Sequence, residues 1–275
     1  MRGTIPAPGP ETAKYGGNTA CLDIQTSDEH VIIIDAGTGI RRLGQVLQRE
    51  NPSRITGNIL LSHTHWDHIQ GLPFFKPLGS RRNRFELIGR RRIGNGLEDI
   101  LAGQFLEPYL PFAYRSLRAN LHVKEVDSGA SLTIGGDTAV SVIDLNHPGG
   151  CLGFRVENNG VVLAYCSDTG HGADDFGEDV LGLVHDADLL IHDAFFSEPE
   201  QSKSFGEWGH SSWLEAAQLA KRANVHTLGL FHYAPESSDQ DLESIRKKAR
   251  TVFSRTILTR EGMTVDLPIG PDLPD

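Results

Sequence analysis

Short apolar runs closed by Gly, Asn or Asp recur along the chain. "HVIIIDAG" (30–37), "NILLSH" (58–63), "FELIGR" (85–90), "AVSVIDLNH" (139–147), "GVVLAYCSD" (160–168), "ADLLIHDA" (187–194) and "VHTLGLFHY" (225–233) all have strand length. Several are continuous rather than alternating, as expected of strands buried on both faces. Helical patterns lie between some of them. "SSWLEAAQLAKRA" (211–223) opens on Ser212 with Glu215 three residues later, a capping-box signature. "DQDLESIRKKAR" (239–250) carries acids in its first turn and bases in its last, matching the helix dipole. The 95–120 segment starts amphipathic and is interrupted by Pro108 and Pro111. It reads either as a helical excursion covering a site or as a packing helix with a surface loop. No repeat or Pro/Ser linker divides the chain. Runs of strands with helices interspersed predict sheets packed face to face with helices outside, in a single domain over 1–275.

Composition narrows the class. At 39% hydrophobic and 23% charged residues, a folded globular chain is expected. No stretch of about 18 apolar residues exists, so no membrane span is predicted. The opening "MRGTIPAPGPETAKYGG" lacks the apolar core of a signal peptide. Cys21, Cys151 and Cys166 are odd in number and widely spaced, unlike a disulfide framework, so a reducing cytoplasm is expected. A net charge of −10 argues against a large nucleic-acid partner. "RRNR" (81–84) and "RRR" (90–92) are local exceptions. They read as solvated surface or as a patch for an anionic substrate beside the site.

One stretch demands chemistry. "LLSHTHWDHIQGLP" (60–73) crowds His63, His65, Asp67 and His68 into six positions after an apolar run. With 12 His in 275 residues, that arrangement arises by chance in on the order of one such chain in a thousand. Neutral imidazoles and carboxylates are ligands that zinc prefers. His63 and His65, two apart on an extended loop, can grip one ion, and Asp67 and His68 on the following turn can reach a second. His147, Asp168 and His232 close three other strand-like runs and are the candidates for completing the set.

The ordered motifs H-T-H-W-D-H, "NHPGG", "SDTG" and "FHY" resemble the metallo-β-lactamase fold superfamily. "IHDAFF" (191–196) and "GHSS" (209–212) are similar to motifs of its ribonuclease Z-like phosphodiesterase branch. The resemblance spans roughly residues 15–235. It implies an αββα sandwich of two mixed β-sheets with outer helices, and two Zn²⁺, with Mn²⁺ as the alternative. It implies that His63, His65 and His147 hold the first ion, that Asp67, His68 and His232 hold the second, and that Asp168 bridges them. Asp35 in "DAGTG" matches the position that braces the histidine loop, or simply ends a strand. An Asp at the bridge is typical of phosphoester and thioester hydrolases, where true zinc β-lactamases commonly have Cys. His65 stands where an iron-based redox branch has Glu.

The resemblance also implies a mechanism. Two ions share a water whose pKa falls toward neutrality. Asp67, a ligand, can accept its proton, and Asp193 orients His210 as the imidazolium that protonates the leaving alkoxide. The branch commonly has Glu where Asp193 stands. His30, His122, His185 and His226 read as structural, His192 as buried and hydrogen-bonded, and His171 as a loop residue near Asp168. Trp66, Phe74, Phe75, Trp208 and Tyr233 are candidates for stacking on a base or aryl group, or for core.

The expected function is therefore a dinuclear zinc phosphodiesterase acting on small or cyclic nucleotide phosphodiesters. Partners are expected to be a small-molecule diester, no large nucleic acid and no membrane, with a homodimer implied by the resemblance. The basic Gly/Pro-rich arm of the branch's tRNA-processing members is not seen in the sequence. The alternatives are hydrolysis of an organophosphate, lactone or aryl halide at the same site, and a non-catalytic metal-binding protein.

Overall fold

A computed structural model describes residues 1–26, 30–51, 53–92, 94–112, 114–117, 121–171 and 176–274. The chain divides into two compact units, one formed by Thr19–Asp127 and the other by Met1–Asn18 with Ser128–Asp275.

The Thr19–Asp127 unit carries a five-stranded mixed sheet of β1 (Leu22–Gln25), β2 (Val31–Ile34), β3 (Thr56–Leu61), β4 (Arg84–Arg90) and β5 (Leu121–Val126), in that spatial order. Only the β1–β2 pair is antiparallel. Every residue of β2 is buried, and β3 is buried after its first residue, which is why both read as unbroken apolar runs. Helices α1 (Ile40–Glu50), α2 (Trp66–Ile69) and α3 (Leu97–Gly103) complete the unit. The core joins Ile33, Ile59, Leu61 and Leu87 to Ile40, Leu47, Leu97 and Leu101 of the helices. Among the described residues of the 95–120 segment, α3 is the one regular α-helix, its N-terminal amide on Leu97 donating to Glu125 Oε1 at 2.7 Å. A single 3-10 turn follows at Tyr114–Ser116, while Ala113 and residues 118–120 lie outside the described residues.

The other unit carries seven strands, β6 (Ser131–Ile134), β7 (Thr138–Leu145), β8 (Cys151–Asn158), β9 (Val161–Cys166), β10 (Leu189–Asp193), β11 (Thr227–Phe231) and β12 (Thr256–Leu258). They lie in strict sequence order across the sheet, β6 to β9 antiparallel and β9 to β12 parallel. Helices α4 (Glu178–Val184), α5 (Pro199–Ser204), α6 (Trp213–Arg222) and α7 (Asp239–Val252) belong to it. The capping box at α6 is formed, with the Ser212 amide donating to Glu215 Oε2 at 2.7 Å. A second box, Ser238 with Asp241, opens α7. Both sheets are mixed and flanked by helices. Among the described residues no helix is long and apolar enough to cross a membrane.

The topology gathers chemistry at one edge. β9, β10 and β11 are parallel, and β7 points the same way because two antiparallel pairings separate it from β9. His147, Asp168, Asp193 and His232 therefore all sit at the carboxyl ends of strands sharing one direction, where open sheets place ligands.

Candidate functional site

In the Thr19–Asp127 unit, β3 delivers Ser62 and His63, and His65 is the N-cap of α2, so that Asp67 and His68 fall in its first turn. The His63 ring lies 4.5 Å from that of His65 and 4.2 Å from that of His68, centroid to centroid. Asp67 Oδ2 is 3.4 Å from His68 Nε2. His63, Asp67 and His68 are buried, and His65 is exposed. Asp35, fully buried and left-handed at φ 63°, ends the extension of β2. Its carboxylate accepts from the Ser62 amide (2.8 Å), from Ser62 Oγ (2.9 Å) and from His68 Nδ1 (2.8 Å). Asp35 is thus a brace for the histidine loop rather than a simple strand terminator. Ser62 Oγ also stands 3.1 Å from His63 Nδ1. Of the two arginine clusters, Arg92 reaches this loop, donating to Thr64 Oγ1 at 3.1 Å. Arg91 pairs with Asp127 at the surface, and Arg84 bonds the carbonyls of Arg81 and Asn83.

In the other unit, Asp168 presents one oxygen to each of two imidazoles. Oδ1 is 3.3 Å from His232 Nε2, and Oδ2 is 3.9 Å from His147 Nε2. Asp168 and His232 are both left-handed, at φ 57° and 56°, so each strand ends in a sparsely populated conformation that swings its side chain off the sheet. His147 Nδ1 donates to the Gly209 carbonyl at 2.9 Å. Gly209 has φ 70°, and a Cβ there would lie 2.7 Å from that nitrogen, so only glycine brings the carbonyl so close. Gly3 leaves room for the His232 ring, since a Cβ there would lie 2.5 Å from the ring's Cε1.

Asp193, at the end of β10, is fully buried. Its Oδ1 accepts from the Phe195 amide at 2.8 Å, and its Oδ2 accepts from His210 Nδ1 at 2.7 Å. The shorter Asp arm therefore reaches the imidazole. The His210 ring stacks on Phe195 at 4.5 Å and 16°, and lies 5.2 Å from the rings of both His147 and His232. His147, Asp168 and His210 offer ligand atoms within 4.8 Å of one another, as do Asp193, His210 and His232.

The donor set fits a divalent metal. Nδ1 is engaged by carboxylate in His68 and by a carbonyl in His147, the outer arrangement that fixes the tautomer and presents Nε2 as the ligand. Imidazoles with carboxylates, and no thiolate, match a catalytic rather than a structural zinc site. Sequence reasoning missed Ser62, Gly3 and Gly209. Gly209 was the more findable, because it directly precedes His210, whereas nothing local marks Gly3.

The remaining histidines have ordinary partners. His30 Nε2 meets Asn58 Oδ1 at 2.7 Å, His122 pairs with Glu86, His185 with Asp186, and His226 bonds the Ile269 carbonyl. His192 Nδ1 donates to the Asp193 carbonyl at 2.7 Å, and its Nε2 lies 3.0 Å from His171 Nε2. Burial first, and His192 second, push the His171 pKa down to about 3; burial also lowers that of His192. Of the five candidate stacking rings, Phe75 and Tyr233 are buried in the cores, while Trp66, Phe74 and Trp208 are exposed.

A family model described as "Beta-lactamase superfamily domain" matches residues 30–233. A protein named Ribonuclease Z from Sulfurisphaera tokodaii is 29% identical over 233 residues, covering 72% of this chain and 76% of its own. Among solved structures, the metallo-β-lactamase fold protein YhfI from Bacillus subtilis superposes with a TM-score of 0.70 at 23% identity, over 95% of this chain and 94% of that one. Human tRNase Z, short form, gives 0.66 at 21%, over 98% and 97%. The two structures establish the fold.

These relatives correct one expectation. Net charge and the missing basic arm argued against a large nucleic acid as partner; kinship to a protein named Ribonuclease Z overturns that. The physical reason is that phosphate attraction is screened within about 8–10 Å at physiological salt, so a charge summed over the whole chain does not report on one patch. The metallo-β-lactamase fold implies divalent-metal binding and the His/Asp clusters supply its donors. The chain belongs to the β-lactamase superfamily, as a hydrolase of the metallo-β-lactamase fold.

Proposed function

We propose that this chain, as one domain over 1–275, is a zinc-dependent phosphodiesterase that cleaves nucleotide phosphodiesters, with RNA as the substrate class. The observation that carries the reaction is the buried Asp193–His210 contact at 2.7 Å, beside His147, Asp168 and His232. A proton donor held this way suits expulsion of a poor alkoxide leaving group. Kinship to ribonuclease Z supports RNA. Small and cyclic nucleotide diesters contain the same bond and form the comparison arm.

Two zinc ions, or manganese, held by His63, His65 and His147 and by Asp67, His68 and His232 with Asp168 shared, would polarise the phosphoryl oxygen and acidify a water. Asp67 accepts the proton that the attacking water releases. Arg92, on the His63–His65 loop through Thr64, offers its guanidinium to the substrate's charged oxygens. Asp193 holds His210 Nδ1–H and stabilises the imidazolium form. His210 then delivers the Nε2 proton to the departing oxygen as the P–O bond breaks. One water is consumed and one P–O bond replaces another.

The test is a panel assayed with zinc or manganese: a 3′-extended precursor tRNA, cyclic nucleotides, bis(p-nitrophenyl) phosphate, a lactone, a thioester and an aryl halide. Diesters should be turned over orders of magnitude faster than the others, with the RNA leading. A lactone or aryl halide outpacing every diester would overturn the reading.

A further inference from the structure

Beyond the proton donor lies a cleft that the mechanism does not use. It encloses about 470 Å³, and Phe195, the ring stacked on His210, forms its inner wall. Phe196, Phe205 and Trp208 form one side, with Phe205 and Trp208 5.0 Å apart and Phe196 6.2 and 6.5 Å from them. Phe205 is 44% exposed and Trp208 54%, so two neighbouring rings stand half in water at the cleft's mouth. A soluble surface rarely leaves clustered aromatics so placed without a use for their faces.

The polar groups say what those faces accept. Glu198, Glu236 and Asp241 line the cleft against one cation, Lys248, and that cation already lies 3.1 Å from Glu198. Asp241 is occupied by Ser238, whose amide and hydroxyl both donate to it. Glu236 is exposed at the rim. Surplus carboxylate repels a phosphate and accepts N–H donors. A flat ring with exocyclic or ring N–H groups and no charge satisfies both the aromatic faces and the acidic rim.

We infer that this cleft is a nucleobase subsite, receiving the base of the nucleoside that leaves on the His210 side. The assignment rests on the phosphodiesterase reading for its place in the reaction. It does not rest on that reading for the binding itself. A base inserted here stacks on Phe205 and Trp208 and donates to the carboxylate rim, which holds the leaving oxygen's nucleoside beside the proton donor. The preference would be for bases bearing amino groups, namely adenine, guanine and cytosine over uracil.

Binding can be measured without catalysis. Adenosine, which has no phosphate, is titrated into the full chain while tryptophan emission is followed, with calorimetry in parallel. Saturable quenching is expected, and inorganic phosphate should not displace the ligand. Phe205→Ala should weaken adenosine by about 5- to 100-fold, the range that one base–aromatic stack supplies. Trp208→Phe keeps an aromatic face, so calorimetric affinity should stay within a few-fold while quenching falls. Thermal melts check that these surface substitutions leave the fold intact. In turnover, Phe205→Ala should lower the preference for a base-bearing diester over methyl p-nitrophenyl phosphate by a similar factor. No saturable binding of any nucleoside, displacement by phosphate, or an unchanged affinity in Phe205→Ala overturns the subsite. Phe205-dependent adenosine binding by a chain that hydrolyses no diester would uphold the subsite and sink the phosphodiesterase reading instead.

Discussion

Replacing Asp35 by Ala removes a carboxylate that no solvent reaches and that three donors share: the Ser62 amide, Ser62 Oγ and His68 Nδ1. Hydrogen bonds to a charged group contribute roughly 1.5–3 kcal/mol each, and a buried donor left without its acceptor costs about 1–3 kcal/mol. These contributions overlap, because one cavity and one loop absorb them all. Allowing for that overlap, losing the shared acceptor costs about 3 kcal/mol. Alanine at φ 63° adds roughly 1 kcal/mol of backbone strain. The expected loss is therefore about 4 kcal/mol, a large share of the roughly 5–15 kcal/mol that holds a domain folded. Asp35→Asn tolerates the left-handed backbone and keeps one acceptor, yet turns an N–H₂ toward His68 Nδ1; about half the loss is expected. Urea unfolding of the chelator-stripped chain, followed by circular dichroism, reads both values. Zinc competition with a chromophoric chelator should show affinity falling about 10- to 100-fold in Asp35→Ala, because His68 loses the partner that orients it. Asp35→Ala within 1 kcal/mol of the parent, or Asn worse than Ala, would refute the brace.

Three further outcomes are expected. His63→Ala should retain the fold but lose bound metal and nearly all hydrolysis, read by elemental analysis; an active, metal-free parent protein would remove the metallohydrolase reading altogether. His210→Ala should keep its metal and lose roughly 10²–10⁴-fold on poor alkoxide leaving groups but far less with p-nitrophenolate, with Asp193→Asn a milder copy; equal losses on both leaving groups would leave His210 only a shaping role. His171 and His192 have lowered pKa values in the fold, so below pH about 6.5 the unfolded chain binds more protons and stability falls as pH drops toward 3. For His171 the slope is about 1.4 kcal/mol per pH unit, and His171→Asn should flatten the urea-midpoint profile of the metal-free chain by that amount or be ruled out as its cause.

The candidate ligands could be picked out of the sequence because each follows an apolar run, and a strand's carboxyl end is a local feature. His147, Asp168 and His232 end such runs, and the histidine loop follows β3 directly. The caps of α6 and α7 are equally local, each closed within four residues. Strands β1, β6 and β12 escaped notice because they are only three or four residues long, β5 because His122 and Lys124 give it a polar face, and β8 because Gly153, Arg155 and Glu157 interrupt its apolar run. Helix α1 was missed through Gly44, an unfavourable helix residue kept because a Cβ would lie 2.8 Å from the Phe75 ring.

Orientation and exposure were decided by the fold alone. Asp35 meets His68 across 33 residues and Asp193 meets His210 across 17, pairings that only the family resemblance anticipated, and His147 finds the Gly209 carbonyl across 62. No window of sequence contains such a pair, and which nitrogen of an imidazole is held depends on it. Equally, Trp208 and Tyr233 look alike as aromatic residues near the motifs, yet one is half in water and the other wholly buried. The sequence determined which donor atoms are present and near which strand ends. Only tertiary packing decided which of them are held, which are shielded from water, and which aromatic faces remain open to a ligand, because those properties belong to neighbours brought from elsewhere in the chain.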